Sequence, residues 1–244
     1  MLLLSFAGLV AAAAPSALPA RETLQYTVEW RLVTAGKARL VWSATSQRPN
    51  SGWQANLHME STGMVSKLFK VNNDYVSSLD ADLCSTGSYL KAAEGSRHKE
   101  TRVTFNREAR KADYQEKDLD KKAVVNAHEI DIPPCVHDVL AALYSLRTLN
   151  LPPGQSTQMA ISDGKKSVMA RVEAQQREDV KTPAGLFKTI RCEAFLFNDV
   201  LYRRYGHLHV WLSDDARKVP VQIRVHLQFA IGTITLQLEK EEKT

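Results

Sequence analysis

The residues best placed to do chemistry are His207 and His209, which flank Leu208. In a strand, residues two apart share a face, so both imidazoles and Trp211 would point the same way, a geometry that suits a metal pair. Such a site needs a third ligand from another strand, and neither H-E-x-x-H nor any other spacing nominates one. No metal and no cofactor are expected. His128-Glu129 runs into Ile130, Asp131 and Ile132 with strand-like alternation and reads as a surface pair. Asp214-Asp215 supplies adjacent carboxylates, but Ala216-Arg217-Lys218 follows, and Asp in such a turn bonds its own backbone. A glycosidase pair would have to face each other across a cleft. G-x-S-x-G is missing, and Gly36, Gly164 and Gly185 sit at isolated turns instead of forming a phosphate-cradling loop. A hydrolase would therefore have to draw on His207, His209 or Asp214, and catalytic residues are not expected.

Three cysteines allow one disulfide and one spare thiol. Cys84 and Cys135 lie in loop-like settings, Asp82 to Gly87 and Ile132 to Cys135, and are expected to pair. Cys192 falls on the apolar face of a strand with Ile190 and Ala194, as a small hydrophobe. C-x-x-C is not present, which removes the usual zinc and thioredoxin-type motifs.

These residues have to be positioned by strands. Leu24, Tyr26, Val28, Trp30 and Leu32 alternate with polar neighbours, and Ala38, Leu40, Trp42 and Ala44 repeat the pattern after Thr34-Ala35-Gly36-Lys37, which predicts a hairpin turning there. Further strands are expected around 53–59, 71–79, 89–93, 99–105, 111–116, 123–130, 156–161, 167–175, 187–197, 207–212, 219–229 and 232–238. Met64 to Phe69 is expected as a short helix. The sign-alternating run Glu116 to Lys122 is expected at a hairpin tip. The strongest helix follows Pro133-Pro134, where Val136, Leu140 and Leu143 recur at helical spacing, and it ends at Pro152-Pro153. Roughly a dozen strands with one capping helix make a mainly β protein, an antiparallel curved sheet or partly closed barrel.

Leu2 to Val10 is too short to span a bilayer and is followed by small residues, as in a secretory signal peptide, although no Lys or Arg precedes it. Cleavage is expected after Ala14 or Ala20, with residues 1–20 as signal and 21–244 as one β domain. Export to the periplasm or beyond follows, with no transmembrane anchor after cleavage. The net charge of +5 is spread among 27 acidic residues, a mixed surface that argues against a nucleic-acid footprint.

The stretch Leu186-Phe187-Lys188-Thr189-Ile190-Arg191-Cys192-Glu193, then Trp211-Leu212 and Val219-Pro220-Val221-Gln222-Ile223, resembles the C-terminal signature of a bacterial exported family, domain of unknown function 3108. Ser61-Thr62-Gly63-Met64-Val65, Leu68-Phe69 and Asp74-Tyr75 are similar to its early part. The resemblance runs from about Tyr26 to Leu238 and carries no catalytic residues across.

A curved sheet of this size can enclose an apolar cavity. Its expected lining is Trp30, Trp42, Trp53, Phe69, Tyr144, Phe195 and Trp211, with Leu143 and Phe229 as further candidates. The leading functional expectation is a non-catalytic carrier of an apolar small molecule or lipid. The alternatives are an envelope interaction protein with a filled core and an envelope hydrolase.

Overall fold

A computed structural model describes residues 18–46, 52–228 and 232–243. The expected signal segment up to residue 17 and Phe229 lie outside the described residues. Among the described residues fourteen antiparallel strands form one sheet. The first eight are β1 (Arg21–Trp30), β2 (Val33–Ala44), β3 (Trp53–Ser61), β4 (Val71–Leu79), β5 (Ser85–Glu94), β6 (Arg97–Asn106), β7 (Lys111–Asp118) and β8 (Ala123–Asp131). They form a meander, each strand pairing with the next. A short helix, α1 (Gly63–Leu68), lies between β3 and β4. After β8 comes α2 (Val139–Thr148), and the second meander is β9 (Ser156–Ser162), β10 (Ser167–Thr182), β11 (Gly185–Ala194), β12 (Gly206–Ser213), β13 (Pro220–Leu227) and β14 (Gly232–Lys243). The first strand pairs with the last: Tyr26 faces Leu238 and Val28 faces Leu236. The two meanders thus join at their outermost chain positions, and β8 and β9 are left as the edges.

Alternation decides which face is buried. Leu24, Tyr26, Ala38, Leu40 and Trp42 turn to the same side, with Leu24 opposite Leu40 and Tyr26 opposite Ala38. Against that side lies α2. Its Leu140, Ala141 and Tyr144 join the cluster built on β1 and β2, while Ala142 and Leu146 join a second cluster with Ile161, Val172, Cys192 and Val210. Six of the ten α2 residues are buried, Leu140, Ala141, Ala142, Tyr144, Leu146 and Arg147, while Val139 is exposed. The expected capping helix is present as α2, and it packs on both halves of the sheet.

The ends of α2 are held by polar clamps. Asp138 caps the N-terminus, accepting from the Leu140 and Ala141 amides at 2.9 and 3.0 Å and from the hydroxyls of Ser77 and Ser85. Near the C-terminus Arg147 donates to both oxygens of Glu22 on β1, at 2.6 and 2.8 Å, with neither side chain more than 1% exposed. A bidentate guanidinium–carboxylate fork satisfies two buried charges at once.

The sheet is not closed by a β8–β9 ladder. The segment leading into α2 spans part of the gap instead: the Ser85 amide donates to Val136, and His137 forms a parallel bridge with Ile161. The Cys84–Cys135 disulfide anchors the same segment, 51 residues apart in sequence, as the loop settings implied. At the other side the β9–β10 turn presses on β6 and β7. A side chain at Gly164 (φ 84°) would come within 2.6 Å of Val103, so glycine permits both the turn and the approach. Lys165 beside it reaches Glu116 on β7.

Several boundaries differ from expectation. The first hairpin turns at Arg31-Leu32, both with positive φ, and not at Thr34 to Lys37; Ala35 and Gly36 already lie inside β2. Gly36 is there because the Glu60 carbonyl of β3 leaves no room for a Cβ. Val136 belongs to the bridging segment, so α2 starts three residues later than its periodicity implied.

Candidate functional site

The expected cavity-lining residues separate into two groups. Trp42 is fully buried, stacked on Tyr144 with ring centroids 3.9 Å apart and on Trp53 at 4.9 Å. The indole N–H of Trp42 donates to the Pro19 carbonyl at 3.1 Å. Trp211 belongs to the same core cluster and donates its indole N–H to Glu178 at 2.6 Å, with the Arg224 guanidinium 5.0 Å above its ring. Trp42, Trp53 and Tyr144 form one stack, against protein atoms, whereas the ring beside Trp211 is His209, at 5.9 Å. Trp30, Phe69 and Phe195 are elsewhere. Phe69 is more than half exposed at the end of α1, the Arg171 guanidinium sits 4.3 Å over Phe195, and Arg31 lies 5.4 Å from the Trp30 ring.

His207 and His209 share a face of β12, as their spacing requires, with ring centroids 6.0 Å apart. A residue from the next strand does reach them. Glu193 of β11 lies opposite His209 in register, accepts from His207 Nδ1 at 2.8 Å and stands 3.6 Å from His209 Nε2. Gln175 donates to the same carboxylate at 2.6 Å. Sequence reasoning missed Glu193, although the placement of Cys192 on the apolar face already sent its neighbour to the other one. Burial holds the His209 imidazole below its ordinary pKa, against the pull of Glu193. No metal-holding group of three such side chains exists among the described residues. Asp214 is taken by Arg177, whose Nε donates to it at 2.7 Å, so the three residues a hydrolase would use do not form one site.

Cys192 is buried, and desolvation pushes its thiol up to about 11, far from a thiolate nucleophile. A groove of about 570 Å³ runs over Lys70, Asn72, Asp74, Lys91, His98 and Asp120. Its walls are mixed, with Ala92, Ala93 and Leu119 among those polar side chains, and its acids are already paired: Asp74 with His58 at 2.7 Å and Asp120 with His98 at 2.9 Å.

Residues 25–239 match the family described as protein of unknown function, DUF3108. The chain belongs to that family. No curated protein matches it. Among solved structures, this DUF3108 chain is similar to a β-barrel-like protein of domain of unknown function DUF1849 from Brucella abortus, at 10% identity and a TM-score of 0.57, covering 93% of this chain and 98% of that one. A Bacteroides fragilis candidate exported protein with a YmcC-like fold is matched at 10% identity and a TM-score of 0.33, over 94% of this chain and 98% of that one. A candidate lipoprotein from Parabacteroides distasonis gives 9% identity and 0.33, over 94% and 97%. The Brucella likeness extends the β-barrel-like fold to DUF3108 and is silent on activity.

Proposed function

We propose that this DUF3108 protein is an exported, non-catalytic component of the cell envelope that binds through its outer surface, its interior being occupied by its own helix. The observation that carries the reading is the packing of α2: Tyr144 has no exposed surface and stacks between the two halves of the sheet on an equally buried Trp42. An enclosed lipid would need that volume.

Export is supported by the Cys84–Cys135 disulfide, a bond that persists in oxidising compartments, and by the apolar run Leu2 to Val10. Leu18 packs on the core, the Pro19 carbonyl accepts from Trp42, and the Ala20 carbonyl accepts from the Ala44 amide. These contacts favour signal cleavage after Ala14 over cleavage after Ala20, which would remove them. Among the described residues no helix is long and apolar enough to cross a membrane.

The carrier reading keeps one supporting observation: the sheet walls around α2 are apolar on both sides, so a displaced helix would leave a lipid-like lining. Native mass spectrometry of the protein purified from the periplasm without detergent, followed by organic extraction, separates the two. The filled interior yields the bare polypeptide mass. A discrete adduct that extracts as lipid refutes it and restores the carrier.

A further inference from the structure

In an antiparallel meander every second connection lies at the same end, so the β1–β2, β3–β4 and β11–β12 connections share one rim of this sheet. Exposed large apolar side chains collect there. Leu32 is 92% exposed, Met64 79% and Leu68 78%, with Val33, Phe69 and Tyr205 more than half exposed. Leaving most of this surface exposed is a cost without a return inside the monomer, and large apolar side chains gathered at one rim in this way mark an interaction site.

The three connections repeat one chemical pattern, an exposed cation beside an exposed apolar side chain. The first carries Arg31-Leu32, α1 and its end carry Lys67-Leu68-Phe69-Lys70, and the third carries Arg203-Arg204-Tyr205. From Thr62 to Lys70 there is no acidic residue, and the β11–β12 loop sets only Asp199 against its two arginines. The first two lie side by side: α1 sits against the start of β2, and the Thr62 amide donates to the Ala35 carbonyl at 2.9 Å. Leu32 is also held in the left-handed region at φ 69°, where hairpins favour asparagine or glycine. Its side chain is wasted at that position unless something outside the chain covers it.

We propose that this rim is a docking surface for an anionic phospholipid bilayer. Leu32, Met64, Leu68 and Phe69 enter the interface, and Arg31, Lys67 and Lys70 lie at the depth of the phosphate groups. Apolar insertion combined with attraction to anionic lipid is the chemistry of interfacial binding, and the pairing of both features in each connection selects a bilayer over a purely apolar protein groove. The inference rests on the surface-binding reading and names its partner.

The test is co-sedimentation with vesicles of phosphatidylcholine containing roughly one third phosphatidylglycerol, against vesicles of phosphatidylcholine alone. The protein is expected to pellet with the first, to remain in solution with the second, and to be released by salt. Leu32→Asp combined with Leu68→Asp should weaken partitioning more than about 100-fold, and Lys67→Glu with Lys70→Glu should abolish the lipid selectivity. All four residues are exposed, so circular dichroism and the elution volume should not change. A wild-type chain that fails to pellet overturns the proposal, as do equal binding to both vesicles and undiminished binding by the Leu32→Asp/Leu68→Asp variant, which would move the contact to another segment such as Leu2 to Val10. If light scattering instead shows wild-type dimers that the variant dissociates, the rim is covered by a second copy and the bilayer is the wrong partner. The filled-interior reading stands or falls on whether lipid is extracted from the purified protein, which is a separate readout from vesicle binding and light scattering, so failure here and failure of that reading are distinguishable.

Discussion

Replacing Glu22 with alanine should destabilise the fold severely, and the size follows from its geometry. Glu22 and Arg147 are essentially inaccessible to water and joined through two hydrogen bonds of 2.6 and 2.8 Å. Removing the carboxylate takes two charge-assisted hydrogen bonds from a guanidinium with no exposed surface, for which a loss of about 3–5 kcal/mol is expected. The Tyr144 ring lies 5.0 Å from the Arg147 guanidinium carbon, and the Arg217 carbonyl accepts from Arg147 at 3.3 Å. Neither replaces a full opposite charge, since a desolvated cation–π contact is worth only about 2 kcal/mol. With a urea m-value near 2 kcal/mol/M, the midpoint should fall by roughly 2 M. Glu22→Leu with Arg147→Met removes both charges and keeps the volume, so it should recover most of the loss; the cycle would then show a coupling of several kcal/mol. Equilibrium urea unfolding followed by tryptophan fluorescence measures all three variants. A Glu22→Ala protein within about 1 kcal/mol of wild type, or a double variant as unstable as the sum of its singles, would refute the view that this pair fixes the end of α2.

Other consequences are quickly tested. Substituting both Cys84 and Cys135 with alanine opens a closure of 51 residues and should cost about 4 kcal/mol, read as a lower melting temperature that reductant lowers no further. Burial alone would raise the pKa of Glu116, yet Lys99, Tyr114 and Lys165 together hold it at about 2, from an ordinary 4.5. A carboxylate depressed in this way contributes stability above its unfolded pKa and loses it as the pH falls through the folded value, so that contribution fades between pH 4.5 and about 2. Glu116→Gln should flatten that part of the acid unfolding curve, and an unchanged slope would contradict the assignment. Cys192, with its thiol near 11, should stay unmodified by a thiol reagent at pH 8 until denaturant is added.

Much of the architecture was legible because period-two alternation reports directly on which face is buried. Trp42, Tyr26 and Leu40 were assigned to the core face by that rule, and the disulfide followed from one cysteine lying in a strand and two in loops. The errors share a cause in long-range contacts. Thr34-Ala35-Gly36-Lys37 reads as the first turn, whereas Gly36 lies within β2 and accommodates the Glu60 carbonyl across the sheet. The apolar stripe of α2 indicates a buried side but not which strands meet it, and Ala142 and Leu146 meet the second half of the sheet. Nothing near Glu22 or Arg147 in sequence indicates that residues 125 positions apart form a fork, and Glu193 joins His207 and His209 only once the β11–β12 register is known.

The pairing of β1 with β14 orders events in time. The strand made first can complete its ladder only with the strand made last, so the middle of the sheet, and not an edge, is the final seam. Every native pair in the β1–β14 register is separated by more than two hundred residues, a topology that folds slowly because loop closure precedes any gain in contacts. Until β14 arrives, β1 presents a bare edge next to the Trp42 stack. Assembly therefore waits for synthesis of β14, and the half-built sheet is the species a chaperone would have to shield.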